Sequence, residues 1–201
     1  SGKTVKIGAT TKHADVASSK DVKKAIPSLA KLAGGIGDAQ VRNRGTVGGS
    51  IANNDPSACY PSACMALNAI IHTNDRKIEA SKFFKGMFET ALKKGELIEA
   101  VEFQIPEKSN YQKHPNPASR YAIVGVYLAK HKKEVNVAVT GAKSSVYIDK
   151  DLSKKLSSSF SSSAIEGMKL DSSEMNSDIH ASGEFRASLV VTYAKKAVEA
   201  C

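Results

Sequence analysis

The chain has 201 residues, of which 41% are hydrophobic and 24% are charged, a composition typical of a folded globular protein. Lys and Arg number 29 against 20 Asp and Glu, which gives a formal net charge of +9. Because the lysines are dispersed in pairs and aromatic residues make up only 6%, this charge does not predict a nucleic-acid partner.

The cysteines and the apolar segments exclude further classes of protein. Cys59, Cys64 and Cys201 are too few for a closed disulfide framework, and their spacing does not match a zinc site, so no metal site is predicted. The apolar runs are too short to span a bilayer. With no signal peptide recognised before the first strand-like segment, we expect a cytoplasmic protein without a membrane span.

The first third of the chain predicts one strand and several short helices. Residues 5–9 alternate as a strand, and Thr10 or Thr11 is expected to cap the helix that follows. Short helices are predicted over 21–26 and 28–33. A long glycine-rich loop comes next, before a helix from Pro61 through Leu67.

The middle of the chain predicts a hairpin and one strong strand. Residues 69–73 and 77–80 flank a turn and are expected to pair. Residues 96–105 alternate strongly and end at Pro106, which indicates a strand. Four residues with helix-like spacing are expected in the core: Phe83, Phe84, Met87 and Phe88.

Residues 107–119 carry two prolines and no periodicity, so they are interpreted as a linker or long loop. Beyond them, strands are predicted over 121–129, 134–141 and 144–148. An amphipathic C-terminal helix with Ser182 as its N-cap is indicated by one residue in every four: Phe185, Leu189, Tyr193 and Ala197. This second half predicts an antiparallel sheet packed against helices, an α+β arrangement.

The glycine-rich stretch 34–56 combines glycines, hydroxyls, amides and guanidinium groups. Such a segment can bring backbone N–H groups close to a polar ligand. It matches neither a P-loop nor a dinucleotide fingerprint. Since the five histidines show no triad or metal spacing, no catalytic residue is predicted, and a bound cofactor is the more economical source of reactivity.

Residues 36–56 closely resemble the flavin-binding segment of the molybdenum hydroxylases. The likeness is to the FAD-binding medium subunit of aerobic carbon monoxide dehydrogenase and, more distantly, to the FAD domain of xanthine dehydrogenase. It continues through residues 7–11, 118–126 and 178–186, and so covers nearly the whole chain.

This resemblance implies an organisation for the chain. Residues 1–106 would form the second subdomain of a FAD-binding domain, residues 107–119 a linker, and residues 120–201 a C-terminal α+β domain. The family's first FAD subdomain, which carries an Ala-Gly-Gly loop for the pyrophosphate, is expected before Val5 and is not in this sequence. We therefore expect a fragment of a longer subunit that binds FAD weakly or not at all by itself.

The resemblance also implies a function. Electrons would leave a molybdenum–molybdopterin cofactor in a large subunit, pass two 2Fe–2S clusters in a small subunit, and reach an external acceptor through FAD in this subunit. The partners would be those two subunits, in a dimer of heterotrimers. The alternative is a non-catalytic assembly module that contributes surface to a larger complex without holding flavin.

Site residues follow from the same resemblance. The phosphate and ribityl region of FAD would be wrapped by the segment Arg42-Asn43-Arg44 together with Thr46, Gly48, Gly49 and Ser50. Asn54 and Asp55 would lie near the cofactor, Leu97 or Ile98 against the isoalloxazine, and Lys113 within reach of it. At Cys59 the family often has aspartate facing a ribityl hydroxyl, and a thiol is a poor replacement for that acceptor.

The residues by themselves leave alternatives open. Residues 45–50 could be a tight structural turn, and Asn54-Asp55-Pro56 an Asx-type turn. Leu97 and Ile98 could be ordinary core residues, and Arg42 and Arg44 could serve an intersubunit surface.

Overall fold

The computed structural model describes residues 2–201 as a mixture of helices and two four-stranded sheets, which confirms the predicted α+β class. The strands are β1 (Thr4–Gly8), β2 (Ile70–Thr73), β3 (Lys77–Glu79), β4 (Phe84–Gly86), β5 (Glu89–Thr90), β6 (Ile98–Gln104), β7 (Lys108–Pro115), β8 (Ala122–His131), β9 (Glu134–Thr140) and β10 (Tyr147–Ile148). The helices are α1 (His13–Ser18), α2 (Lys20–Ala25), α3 (Pro27–Gly34), α4 (Ala39–Arg44), α5 (Val47–Asn53), α6 (Tyr60–Ala66), α7 (Ala80–Phe83), α8 (Lys150–Ser158) and α9 (Gly183–Glu199), with a 3₁₀ turn at Ser162–Ile165.

The first sheet has the order β1-β6-β2-β3 and is antiparallel throughout. Ile7 and Ile71 stand opposite Val101 on either side of it, and all three side chains are buried. Such cross-strand rows of β-branched residues stabilise a sheet with one covered face. The predicted hairpin and the strand ending before Pro106 are confirmed.

The second sheet has the order β10-β9-β8-β7 and is also antiparallel. Tyr127 and Ala129 of β8 join the core formed by the N-terminal helices, whereas Val126 and Leu128 join the core beneath α8 and α9. The sheet is therefore covered on both faces. This explains why residues 122–129 are continuously apolar rather than alternating with polar residues.

The predicted linker over 107–119 is wrong, because Lys108–Pro115 forms β7 and pairs with β8 from Lys108 opposite Lys130 to Pro115 opposite Ala122. It is an edge strand, and half of its residues are polar and partly exposed, so it lacks an apolar pattern. Pro115 lies at its end, next to a register shift, where the missing N–H is tolerated.

The glycine-rich stretch is not a long loop, because it contains α4 and α5. Asp38 caps the first by accepting a hydrogen bond from Val41 N–H, and Thr46 caps the second by accepting one from Gly49 N–H. The expected capping of α1 by Thr10 or Thr11 is wrong: Lys12 is the N-cap and makes no side-chain cap bond.

Three other expectations need correction. Of the four residues expected in the core at helical spacing, Phe83 is buried, but Met87 and Phe88 are 55% and 58% exposed. The helical spacing does not apply to them, because helix α7 ends at Phe83 and Phe88 has a left-handed φ of 56°. Helix α9 and its Ser182 cap form as predicted, yet Phe185 is 45% exposed. The third C-terminal strand is limited to Tyr147–Ile148.

Candidate functional site

A cavity of about 410 Å³ opens where the segment 36–59 meets the start of α1 and the residues before β8. Its lining combines apolar side chains with hydroxyl, amide, carboxylate and guanidinium groups. The cavity is lined by His13, Ile36, Gly37, Val41, Arg44, Gly45, Thr46, Gly49, Ser50, Asn53, Asp55, Ser57, Ala58, Cys59, Arg120 and Tyr121.

Helix α5 is fixed against the end of β1 by its first turn. The N–H groups of Val47 and Gly48 donate to the carbonyls of Thr11 and Ala9, at 3.0 and 2.8 Å. The next N–H, of Gly49, donates to the Thr46 hydroxyl at 3.1 Å. Because these three donors already have partners, the glycines act through close approach of the backbone rather than as a nest of free N–H groups.

Gly48 shows this close approach directly. A Cβ at Gly48 would lie 2.5 Å from the Ala9 Cβ and 2.9 Å from the Ala9 carbonyl oxygen, so only glycine fits here without displacing the strand. Gly48 is buried and does not line the cavity, whereas Gly49 and Ser50 do. The alternative interpretation of residues 45–50 is a tight structural turn. In the structure, Gly48 instead provides a close contact between helix α5 and Ala9, the residue that follows β1.

Arg42 and Asn43 act locally. The Arg42 guanidinium donates to the carbonyls of Ile36 and Gly37 at 3.0 and 2.9 Å, and Asn43 Nδ2 donates to Ala39 O at 2.8 Å. Neither side chain lines the cavity, but Arg44 does. Arg42 therefore supports the 36–37 loop, which lines the cavity.

Asn54 and Asp55 have different roles. Asn54 is buried, has a φ of 44°, and donates through Nδ2 to Gly86 O and Glu89 O, which anchors the β4–β5 hairpin. Asp55 lines the cavity, and its Oδ1 accepts from Ser57 N–H at 2.8 Å, so the Asx-type turn is present.

Cys59 is buried at the cavity wall, and its Sγ lies 3.6 Å from Lys113 Nζ. The Lys113 ammonium donates to the carbonyls of Gly35 and Arg120, both at 2.8 Å. Lys113 therefore joins two segments that carry the walls without lining the cavity itself.

Leu97 and Ile98 are not among the residues that line the cavity. Leu97 is 68% exposed, and its N–H donates to Asn74 Oδ1. Ile98 is half-buried and packs on the N-terminal core, which agrees with the alternative that it is an ordinary core residue.

Sequence reasoning did not propose several lining residues, among them His13, Val41, Arg120 and Tyr121. His13 and Tyr121 lie far from the motif in sequence, and no local pattern marks them. Arg120 has a positive φ of 63° immediately before β8, which only the tertiary structure reveals.

Burial sets the charge state of two lining groups. It lowers the pKa of His13, so the imidazole is neutral at pH 7. Burial, followed by the nearby Asp55 and Cys59, raises the pKa of Tyr121, so its phenol keeps its proton. Arg44 and Arg120 bring positive charge to the wall, and Asp55 brings negative charge.

Comparisons with known proteins identify the family of this chain. The family described as FAD binding domain in molybdopterin dehydrogenase matches residues 1–107, more than half of the chain.

No helix in residues 2–201 has the length and hydropathy needed to cross a membrane. The same residues contain no cluster of three or more His, Cys, Asp and Glu suited to a metal ion.

Similar relatives are components of dehydrogenases and hydroxylases. The glyceraldehyde dehydrogenase medium chain of Sulfolobus acidocaldarius is 40% identical over 131 residues, which cover 62% of this chain and 47% of that protein. The nicotine 6-hydroxylase medium subunit of Paenarthrobacter nicotinovorans is 30% identical over a match that covers 94% of this chain and 72% of that subunit. The chain thus spans about half to three quarters of its relatives.

Solved structures share the fold. Reconstituted CO dehydrogenase from Oligotropha carboxidovorans superposes with a TM-score of 0.87 at 24% identity, covering 99% of this chain and 75% of the other. Quinoline 2-oxidoreductase from Pseudomonas putida 86 superposes with a TM-score of 0.85, also at 24% identity, and the match covers 100% of this chain and 75% of the other. The family match over residues 1–107 and the relatives named above show that the chain belongs to the FAD-binding domain family of the molybdopterin dehydrogenases, the family of the molybdenum hydroxylase medium subunits.

Proposed function

We propose that this chain carries FAD in the medium subunit of a molybdenum hydroxylase and that the 410 Å³ cavity is part of its flavin site. The observation that carries the proposal is that the family's flavin segment, residues 36–56, supplies most of the residues that line this cavity. When bound, FAD would supply the redox chemistry that connects iron–sulfur clusters of a partner with an external electron acceptor.

The donor set fits such a cofactor. Hydroxyl and amide side chains of Thr46, Ser50 and Asn53 suit ribityl and phosphate oxygens, and the Arg44 guanidinium suits phosphate. Apolar and aromatic side chains suit a flat heteroaromatic ring, and the cavity is lined by Ile36, Val41, Ala58 and Tyr121.

We assign the sequence-predicted residues to two roles. Thr46, Gly49, Ser50, Asp55 and Cys59 line the cavity and would contact the cofactor. Four others would act by holding the walls in place: Arg42, Gly48, Asn54 and Lys113. We give Asn43, Leu97 and Ile98 no direct part.

We further propose the assembly that the family resemblance implies. Relatives named as medium chains or medium subunits support a complex with larger and smaller partner subunits. The large partner would carry molybdopterin and the small one 2Fe–2S clusters, in a cytoplasmic dimer of heterotrimers. Residues 1–106 would form one structural part of the chain, and residues 120–201, with strand β7 paired to them in the same sheet, would form the other.

Titration of the purified chain with FAD, followed by flavin fluorescence, tests the proposal. Ser50→Leu narrows the cavity and breaks no hydrogen bond of the Ser50 side chain within residues 2–201, so it should weaken binding at least about tenfold, or ~1.4 kcal/mol. Ala52→Leu, on the exposed side of the same helix, is the matched control and should bind as the unchanged chain does.

Two outcomes contradict the proposal. Equal FAD affinity in Ser50→Leu and Ala52→Leu would place the flavin elsewhere. A chain that remains folded and binds no FAD, even when joined to the large and small subunits, would favour the assembly module instead.

A further inference from the structure

His13 is a buried polar side chain at the cavity that no hydrogen bond satisfies. The residue is 4% exposed, and its Nδ1 is sealed from solvent without a partner in residues 2–201. Its ring lies 5.3 Å from the Tyr60 ring, tilted by 41°. Native proteins pair nearly all buried polar atoms, so an unpaired one at a cavity calls for an explanation.

Gly45 determines how the imidazole is placed. A Cβ at Gly45 would lie 2.5 Å from His13 Nε2 and 2.8 Å from Cδ2, so the ring occupies the space that a side chain would take. The backbone holds the pair together, because His13 N–H donates to Gly45 O at 3.0 Å and Lys12 bridges to Thr46. The motif therefore has glycine at position 45 because the His13 imidazole needs the space, and not because a turn requires it.

The cavity can reach only one ring nitrogen. His13 lines the cavity while Nδ1 is sealed, and Nε2 is not sealed and makes no hydrogen bond within the described residues. Burial lowers the pKa of His13, so the ring is neutral and carries one proton. Buried N–H groups without a partner are rarer than unsatisfied acceptors, which favours the proton on Nε2.

We propose that His13 is a cofactor-contacting residue: its Nε2–H donates a hydrogen bond to an acceptor atom of FAD in the cavity. This inference rests on the proposed function. It gives the one N–H group of the imidazole a partner, while the sealed Nδ1 stays an unprotonated acceptor, and it explains why a glycine precedes Thr46 in the motif.

Three variants test it through the dissociation constant of FAD. His13→Leu removes the donor and should weaken binding about tenfold, the cost of one hydrogen bond of ~1.4 kcal/mol. His13→Gln places an amide near the position of Nε2 and should stay within about threefold of the unchanged chain. Tyr60→Phe is the matched control, since the Tyr60 hydroxyl is also buried and unpaired but does not line the cavity, and its binding should not change.

A ligand-free measurement accompanies the titrations. The nitrogen NMR shifts of His13 should show the proton on Nε2 in the FAD-free chain, and a spectrum with the proton on Nδ1 would overturn the inference. Unchanged FAD affinity in His13→Leu would overturn it as well, while the proposed function would stand. Failure of the unchanged chain to bind FAD, even when joined to the large and small subunits, would instead overturn the proposed function and this inference together.

Discussion

Replacing Gly48 by Ala tests the contact that holds α5 on the first sheet. The added Cβ would lie 2.5 Å from the Ala9 Cβ, about 1 Å inside an ordinary van der Waals contact, and 2.9 Å from the Ala9 carbonyl oxygen. The helix must retreat by about that distance, which would break the 2.8 Å hydrogen bond from Gly48 N–H to Ala9 O.

The magnitude follows from three contributions to the free energy of unfolding. Overpacking costs about 1–3 kcal/mol and the lost hydrogen bond about 0.5–1.5 kcal/mol, while the helix gains at most ~1 kcal/mol from replacing glycine. We expect Gly48→Ala to destabilise the chain by about 1–3 kcal/mol, which at an m-value of about 3 kcal/mol/M lowers the urea midpoint by roughly 0.3–1 M.

The assay is urea unfolding followed by circular dichroism. Gly49→Ala is the control, because its Cβ meets a rotatable hydroxyl, Thr46 Oγ1, at 3.0 Å rather than a backbone. Its stability should change much less. The cost of Gly48→Ala should also shrink by about 1 kcal/mol when Ala9 is Gly. A Gly48→Ala chain at least as stable as the unchanged one would refute the close-contact reasoning.

Other interactions give three further predictions. Hydrogen bonds from Arg76, then Lys93 N–H and Thr73, lower the pKa of Glu96 from 4.5 to about 2, so its stabilisation is present above pH 4.5 and lost as the pH falls toward 2. The gap in urea midpoint between the unchanged chain and Glu96→Gln should therefore be larger at pH 7 than at pH 3, and equal gaps would argue against this network. Tyr127→Phe removes the 2.6 Å hydrogen bond to Ser28, which joins α3 to β8, and should cost about 1–2 kcal/mol by urea unfolding, whereas Tyr193→Phe, at a half-buried position, should cost less. Thr46→Ala removes the cap of α5 and should lower the melting temperature by about 2–4 °C, with Thr46→Ser close to unchanged; equal melting temperatures in all three chains would mean that the cap contributes nothing.

The sequence predicted the elements whose signals are local. Strand β6 and the β2–β3 hairpin are set by alternation and turn residues, and helix α9 begins at the Ser182 cap as expected. Strand β7 was missed, since its structure comes from pairing with β8 rather than from its own polar residues.

Site residues divide in the same way. Thr46, Gly49 and Ser50 could be proposed because they lie in one contiguous motif. His13 and Tyr121 could not, since the fold brings them to the cavity from 33 and 75 residues away from Thr46.

The sequence by itself determined the family and the segment that carries its flavin motif, because glycines, capping residues and hydroxyls act over a few neighbouring positions. Only the tertiary structure decided which of those residues meet the cavity. The packing of Gly48 on Ala9 turns Gly49 and Ser50 toward it, and the Arg42 hydrogen bonds keep that guanidinium on the loop. These contacts depend on how the chain folds in three dimensions, so a local sequence pattern does not predict them.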